Sequence, residues 1–215
     1  MNASKSTSKP IAIAFLFAYI IVRMGLDASF WQTLSEYYSY AFETVFVAAA
    51  ALIYRKSFRW FSPLSLGDYL GTLIAICSGF FIFKAAGQFH LTVPFDFTSK
   101  ELLFLLLFFG PVLEESIFRM ALWEPCKVLL GSDRGVIAAT TLLFAAGHGL
   151  AFWTVPDAYK TFVLYQTFYV VLLGIAVGMR RSQSRSVLSP TLIHLGFNFG
   201  FWLGTLVSLG TRTQT

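Results

Sequence analysis

The sequence predicts an all-α fold, a polytopic membrane helix bundle. Three observations carry that prediction. Apolar residues make up 56% of the 215-residue chain and charged residues only 13%, against about 25% charged in a typical soluble domain. Mean hydropathy is +0.67. The apolar residues also fall into stretches near the length of about 20 residues that a helix needs to cross a bilayer.

Seven such stretches are predicted, at roughly 10–27, 37–54, 68–89, 101–123, 135–153, 159–179 and 187–209. The first follows Lys5 and Lys9 and runs apolar from Ile11 to Val22. A signal peptide starts similarly, but Arg23 and Asp27 interrupt the approach to a cleavage site near Ala28, so a retained helix is expected. The second is interrupted by Glu43, which lies close to Tyr37, Tyr38 and Tyr40 and reads as interfacial. Arg23 and Lys84 sit near the outer ends of the first and third spans, where long basic side chains can snorkel to the headgroups. No repeat, low-complexity tract or long linker divides the chain, so residues 1–215 are read as a single integral membrane domain. Cys77 and Cys126 are far apart in unlike contexts and are expected to be separate thiols.

Loop charges set an orientation. Numbered alternately from inside, the inner segments hold Lys5, Lys9, Arg55, Lys56, Arg59, Lys127, Arg134, Arg180, Arg181 and Arg185; the outer ones hold Lys100, Lys160 and Arg212. Ten against three is a positive-inside bias, and it places the N-terminus in the cytoplasm. The net charge of +5 is dispersed over short loops, which argues against nucleic acid as a partner. The expected partners are the lipid bilayer and a membrane-associated protein or peptide. The expected location is a bacterial cytoplasmic membrane, or the endoplasmic reticulum in a eukaryote.

Charges inside a span cost roughly 2.5–3.5 kcal/mol each at mid-helix, and those that occur usually serve a function. The fourth span reads Gly110-Pro111-Val112-Leu113-Glu114-Glu115-Ser116-Ile117-Phe118-Arg119. Glu115 and Arg119 are one turn apart and can pair. Glu114 points about 100° away from Glu115 and has no mate on its own helix. Pro111 removes a backbone donor one turn earlier. The fifth span carries Phe144-Ala145-Ala146-Gly147-His148 and the seventh carries His194-Leu195-Gly196-Phe197-Asn198. His194 and Asn198 share a helix face. Small residues beside both histidines permit close helix approach. Each polar group alone could be an interhelical hydrogen bond; all of them converging suggests a site.

Glu114-Glu115-x-x-x-Arg119, Phe144-x-x-x-His148 and His194-x-x-x-Asn198 resemble, in order and spacing, the motifs of the CAAX-processing and bacteriocin-processing (CPBP, Abi) proteases, the type II CAAX prenyl endopeptidases. The resemblance covers Gly110 to Asn198 and implies a catalytic core within 101–209. It implies an intramembrane endopeptidase of the glutamic type, working without metal or cofactor. Glu114 would be the catalytic glutamate, His148 its partner in holding water, and His194 and Asn198 the oxyanion donors. Glu115 and Arg119, with Phe144, would support the site structurally. Met120 stands where glycine is common in that family.

The chemistry is coherent. A carboxylate can take a proton from water that an imidazole orients, and two donors can hold the developing oxyanion. No GxSxG stands in the chain to support a covalent route. Two other readings stay open. Two histidines and a carboxylate could ligate zinc, although no HExxH is present. Alternatively, the polar residues could line a binding or transport path. One tension concerns depth: at about 1.5 Å per residue, His194 lies about 10 Å and His148 roughly 20 Å from the inner ends of their helices. The fifth helix is therefore expected to begin in the cytoplasm, and the site to open on that side.

Overall fold

The structure is a computed structural model and describes residues 9–26, 38–55, 59–95 and 97–212. Lys5, Asp27, Ala28, Tyr37 and Lys56, on which parts of the charge, signal-peptide and interfacial readings rest, lie outside those residues.

Among the described residues every regular element is helical, as the composition predicts. Helices α1 (Lys9–Leu26), α2 (Tyr38–Ile53) and α3 (Leu66–Gln88) match the first three stretches. The fourth is a composite helix, α4, over 100–121. It runs through Lys100–Phe104, a π-helical turn at Leu105–Phe109, an α-helical section at Gly110–Ser116 and a second π turn at Ile117–Ala121. A short helix, α5 (Trp123–Leu130), follows directly. Then come α6 (Asp133–Gly149, prolonged by a 3-10 turn at Leu150–Trp153), α7 (Asp157–Ser184) and α8 (Leu188–Arg212). Among the described residues, three helical stretches, Leu66–Gln88, Asp133–Trp153 and Asp157–Ser184, are long and apolar enough to cross a membrane.

Glycine decides how α3 and α8 meet. A Cβ on Gly79 would sit 2.0 Å from the Phe197 carbonyl oxygen, and one on Gly200 would sit 1.9 Å from that of Ile76. Neither approach is possible for a residue with a side chain, so the two backbones touch at these points, as small residues allow between membrane helices. Phe118, Phe144, Phe162, Tyr169, Phe197 and Phe201 fill the core between the helices. Leu73, Ile74, Phe81, Phe168 and Leu172 stay exposed, the surface a lipid-facing bundle requires. Cys126 is buried, Cys77 is exposed, and both are free thiols.

One end of the bundle is tied by charge. Asp68 accepts from the Ser65 backbone at 2.7 Å, capping α3, and from Arg180 Nε at 2.7 Å. Arg180 Nη2 also reaches Ser65 Oγ at 2.7 Å. Arg180 and Arg181 were expected in a loop beyond 179, but α7 continues to Ser184. Both arginines therefore project from its last turns, and Arg181 is buried. The same extension bears on the depth tension. Ser182 hydrogen-bonds Asp133 at the start of α6, so α6 begins level with the lengthened end of α7.

Candidate active site

The site begins with the backbone of α4. Proline at 111 has no N–H, and the Gly110 N–H bonds back five residues to the Leu105 carbonyl. An α-helical register would have paired Leu106 with Gly110, and a π register would have paired it with residue 111. Leu106 O thus loses both helical donors, and the Asn198 amide fills the place: its Nδ2 donates to Leu106 O at 2.7 Å. Leu106 is half-buried, and a backbone carbonyl away from bulk water seldom goes unpaired, which explains why an amide from α8 is held against this turn.

The second π turn works the same way. The Leu122 N–H reaches back to Ile117 O at 2.8 Å, and Arg119 within the turn bonds outward at both its ends. Its Nη2 donates to Gly174 O on α7 at 3.2 Å. Arg181 of α7 returns the contact, its Nε donating to Arg119 O at 2.8 Å. Arg181 is held in turn by Glu124 at 3.5 Å and lies over the Trp123 ring. Two arginines thus clasp α4 to α7 at the level of the motif.

Between the π turns, Glu114 and Glu115 project on different sides. Glu115 is fully buried, with Oε2 3.3 Å from Arg119 Nε. That contact is ionic rather than an aligned hydrogen bond. Glu115 Oε1 lies 2.9 Å from His194 Nδ1. The opposite edge of the same imidazole, Nε2, lies 3.6 Å from Glu114 Oε2. His194 therefore bridges the two glutamates. A carboxylate only accepts, so Glu115 fixes a proton on Nδ1 and leaves Nε2 to face Glu114. His148 is oriented by a similar device: its Nδ1 lies 3.0 Å from the Phe144 carbonyl, which keeps the proton there and leaves Nε2 as the acceptor.

Phe144 holds these groups apart and in place. Its ring packs edge-on to His148, with centroids 4.8 Å apart, and to His194 at 5.7 Å. The Arg119 guanidinium lies 5.4 Å from the centroid of the same ring, within cation–π range. Glu114, Phe144, His148, His194 and Asn198 all line one cavity of about 160 Å³. A second cavity, of about 290 Å³, lies against Glu114, Phe144 and His148 from the side of α1 and α2. Glu115 and Arg119 lie behind the first cavity, outside its lining. Ile117 to Leu122 are all buried, and the first cavity is walled on one flank by Phe95, Phe97, Leu102 and Leu103.

The glycines near the motifs also differ from expectation. Gly196 and Gly200 meet Thr72 and Ile76 of α3 rather than another motif helix, while nothing lies within 4 Å of a Cβ on Gly147. Arg23 and Glu43, read separately as interfacial, face one another at 4.0 Å. Sequence reasoning missed Tyr40, Gln166 and Arg181. Gln166 could have been found, since an amide inside the sixth apolar span stands out by the criterion applied to the charges. Tyr40 looked interfacial, and nothing marked Arg181 apart from its basic neighbours. Among the described residues no three His, Cys, Asp or Glu side chains are grouped so as to hold a metal ion.

Residues 98–200, which carry all three motifs, match the family model of the type II CAAX prenyl endopeptidases described as Rce1-like. The resemblance read from the motifs is borne out over that segment, and the family is one of membrane-embedded proteases. No curated protein and no solved structure matches the chain.

Proposed function

We propose that this chain, Rce1-like over residues 98–200, hydrolyses a peptide bond of a membrane-associated substrate with water activated by Glu114 and His148. The observation that supports this reading most strongly is the setting of Glu114. It faces the cavity with His148, while its neighbour Glu115 is fully buried against Arg119 and His194. The two adjacent acids are thereby divided, one toward substrate and one toward support.

The mechanism follows from the proton positions. His148 Nε2 accepts a hydrogen bond from a water in the cavity, and the Glu114 carboxylate takes that water's other proton as its oxygen attacks the carbonyl carbon. His194 holds its Nδ1 proton toward Glu115. When doubly protonated it presents Nε2–H to the oxyanion, with the Glu115 carboxylate stabilising the imidazolium, as a buried acid does behind a catalytic histidine. Asn198 keeps one N–H on Leu106 and has a second for the same oxyanion. Glu114 then returns its proton to the leaving amine. The substrate is a peptide or lipoprotein-like segment held at the membrane.

Purified protein in detergent should cleave such a substrate, and Glu114→Gln should remove at least ~10²-fold of the rate, the lower range for losing a general base. Equal cleavage by wild type and Glu114→Gln would sink the mechanism. Cleavage abolished by exhaustive chelation would instead favour a metal-dependent route.

A further inference from the structure

Two cavities meet at the reacting groups, and six residues belong to both: Tyr40, Glu43, Glu114, Phe144, His148 and Gln166. Glu114 and His148 have their roles above, Phe144 spaces the two imidazoles, and Glu43 faces Arg23. Gln166 is a polar member that the chemistry has not used. It stands inside the apolar run of α7, where an amide is costly unless it finds a partner. Tyr169, Val170 and Leu173, further along the same face of α7, line the first cavity as well. Gln166 thus marks the point where this wall passes into the second cavity.

We infer that Gln166 binds the backbone of the substrate, its side-chain amide pairing with one peptide unit next to the bond that Glu114 and His148 hydrolyse. This rests on the proteolytic reading above. Among the described residues, the Gln166 side chain has one hydrogen-bond partner, the Tyr169 hydroxyl. An amide offers two N–H donors and a carbonyl with two lone pairs, so the phenol takes at most one of its positions. The rest stay open. Gln166 is half-buried, and neither its oxygen nor its nitrogen is among the sealed, unpartnered polar atoms of the interior. A peptide unit carries one donor and one acceptor, and a primary amide can answer either. Charge does not oppose the match. The Glu43 and Glu114 carboxylates at the same junction would repel an acidic side chain but not a neutral peptide group. The backbone is also the feature that every substrate brings to this point. An endopeptidase holds chain on both sides of the bond it breaks, and an extended chain advances about 3.3 Å per residue. A backbone contact at the junction fixes the register of that chain against Glu114 and His148 without selecting a sequence.

The probes are a quenched-fluorescent peptide of apolar sequence and a set of its esters. In each ester one N–H flanking the cleaved bond is replaced by oxygen, which removes the donor and keeps the shape. Full-length protein in detergent should show one ester position at which kcat/KM falls roughly fivefold, the effect of losing one hydrogen bond of about 1 kcal/mol. Gln166→Met should lose a similar factor on the all-amide peptide, mainly through KM, and lose nothing further at that ester position. Such non-additivity is expected of two groups in contact. A residue that only packs, or one that only orients water, would instead lower every peptide by the same factor. Equal factors at every position, with a wild type that cleaves, would overturn the backbone contact and leave the protease standing. If Gln166→Met fails to fold, Gln166→Asn, whose amide is one methylene shorter, should erase the ester sensitivity at the same position. Failure of the wild type to cleave any peptide would overturn both.

Discussion

At the scale of single residues, adjacent Glu114 and Glu115 should fail in different ways. Glu115 is the acidic partner of Arg119, and both side chains are fully buried. Glu115→Gln leaves a buried guanidinium without its counter-ion, a change that typically costs about 3–5 kcal/mol. Glu114 lies at a cavity wall and its side chain is about a third exposed, so Glu114→Gln should leave the fold almost untouched. Thermal unfolding in detergent should therefore show a large loss for the first variant and a small one for the second, with cleavage lost in both. Equal unfolding temperatures would mean that the division of labour is misread. This division was legible in part. Helical spacing assigns Arg119 to Glu115 and leaves Glu114 over. It gives no hint that His194 would be wedged between the two, because that contact joins residues 79 apart in the chain.

Among the elements, α4 carries Glu114, Glu115 and Arg119, and its two π turns set the geometry around them. Such turns occur mostly as single-turn bulges, frequently at functional sites. Pro111 signals that the first must depart from α-helix, but a proline announces only a lost donor, not which residue will replace it. The second turn has no sequence mark at all; its Arg119 carbonyl is met by Arg181, whose role depends on where α7 ends. Pro111→Ala tests the first turn. It restores an N–H at 111 that can compete with Asn198 for Leu106 O, so stability should hold or rise while kcat falls as Asn198 is released. Asn198→Ala should instead lower stability by about 1 kcal/mol, the net worth of a typical hydrogen bond, because the Leu106 carbonyl it leaves is only half-buried. Combined, the two changes should be less than additive in stability, since alanine's N–H replaces the missing amide; simple additivity would remove the proposed competition. Arg181→Met tests the second turn. It leaves Arg119 O without its partner from α7 and should cut kcat more than it raises KM, with Arg181→Lys recovering part of the loss. A fall in unfolding temperature with kcat unchanged would reduce the clasp to a structural tie.

At the scale of the whole molecule, span positions and fold class follow from hydropathy, because each helix must hide its own backbone from lipid whatever its neighbours do. Which helices touch does not follow, since contact depends on which small residues face each other. Glycines beside the motifs were legible as sites of close approach, but their partners were not. Gly200, two residues after Asn198, meets Ile76 of α3, so α3 acts as the rigid back wall that fixes how α8 presents His194 and Asn198. This yields a contrast that sequence position alone would not suggest. Gly200→Ala puts a methyl group where a carbonyl oxygen lies 1.9 Å away. No rotamer change can relieve that clash because the obstacle is backbone, so α8 must shift or the bundle must open. Gly147→Ala, next to His148, places its methyl where nothing lies within 4 Å. The distant-looking substitution should abolish cleavage and lower the unfolding temperature, while the one beside the histidine should leave the unfolding temperature unchanged. Parallel unfolding curves for the two variants would show that α3 does not brace α8, and the back wall would have to be sought elsewhere in the bundle.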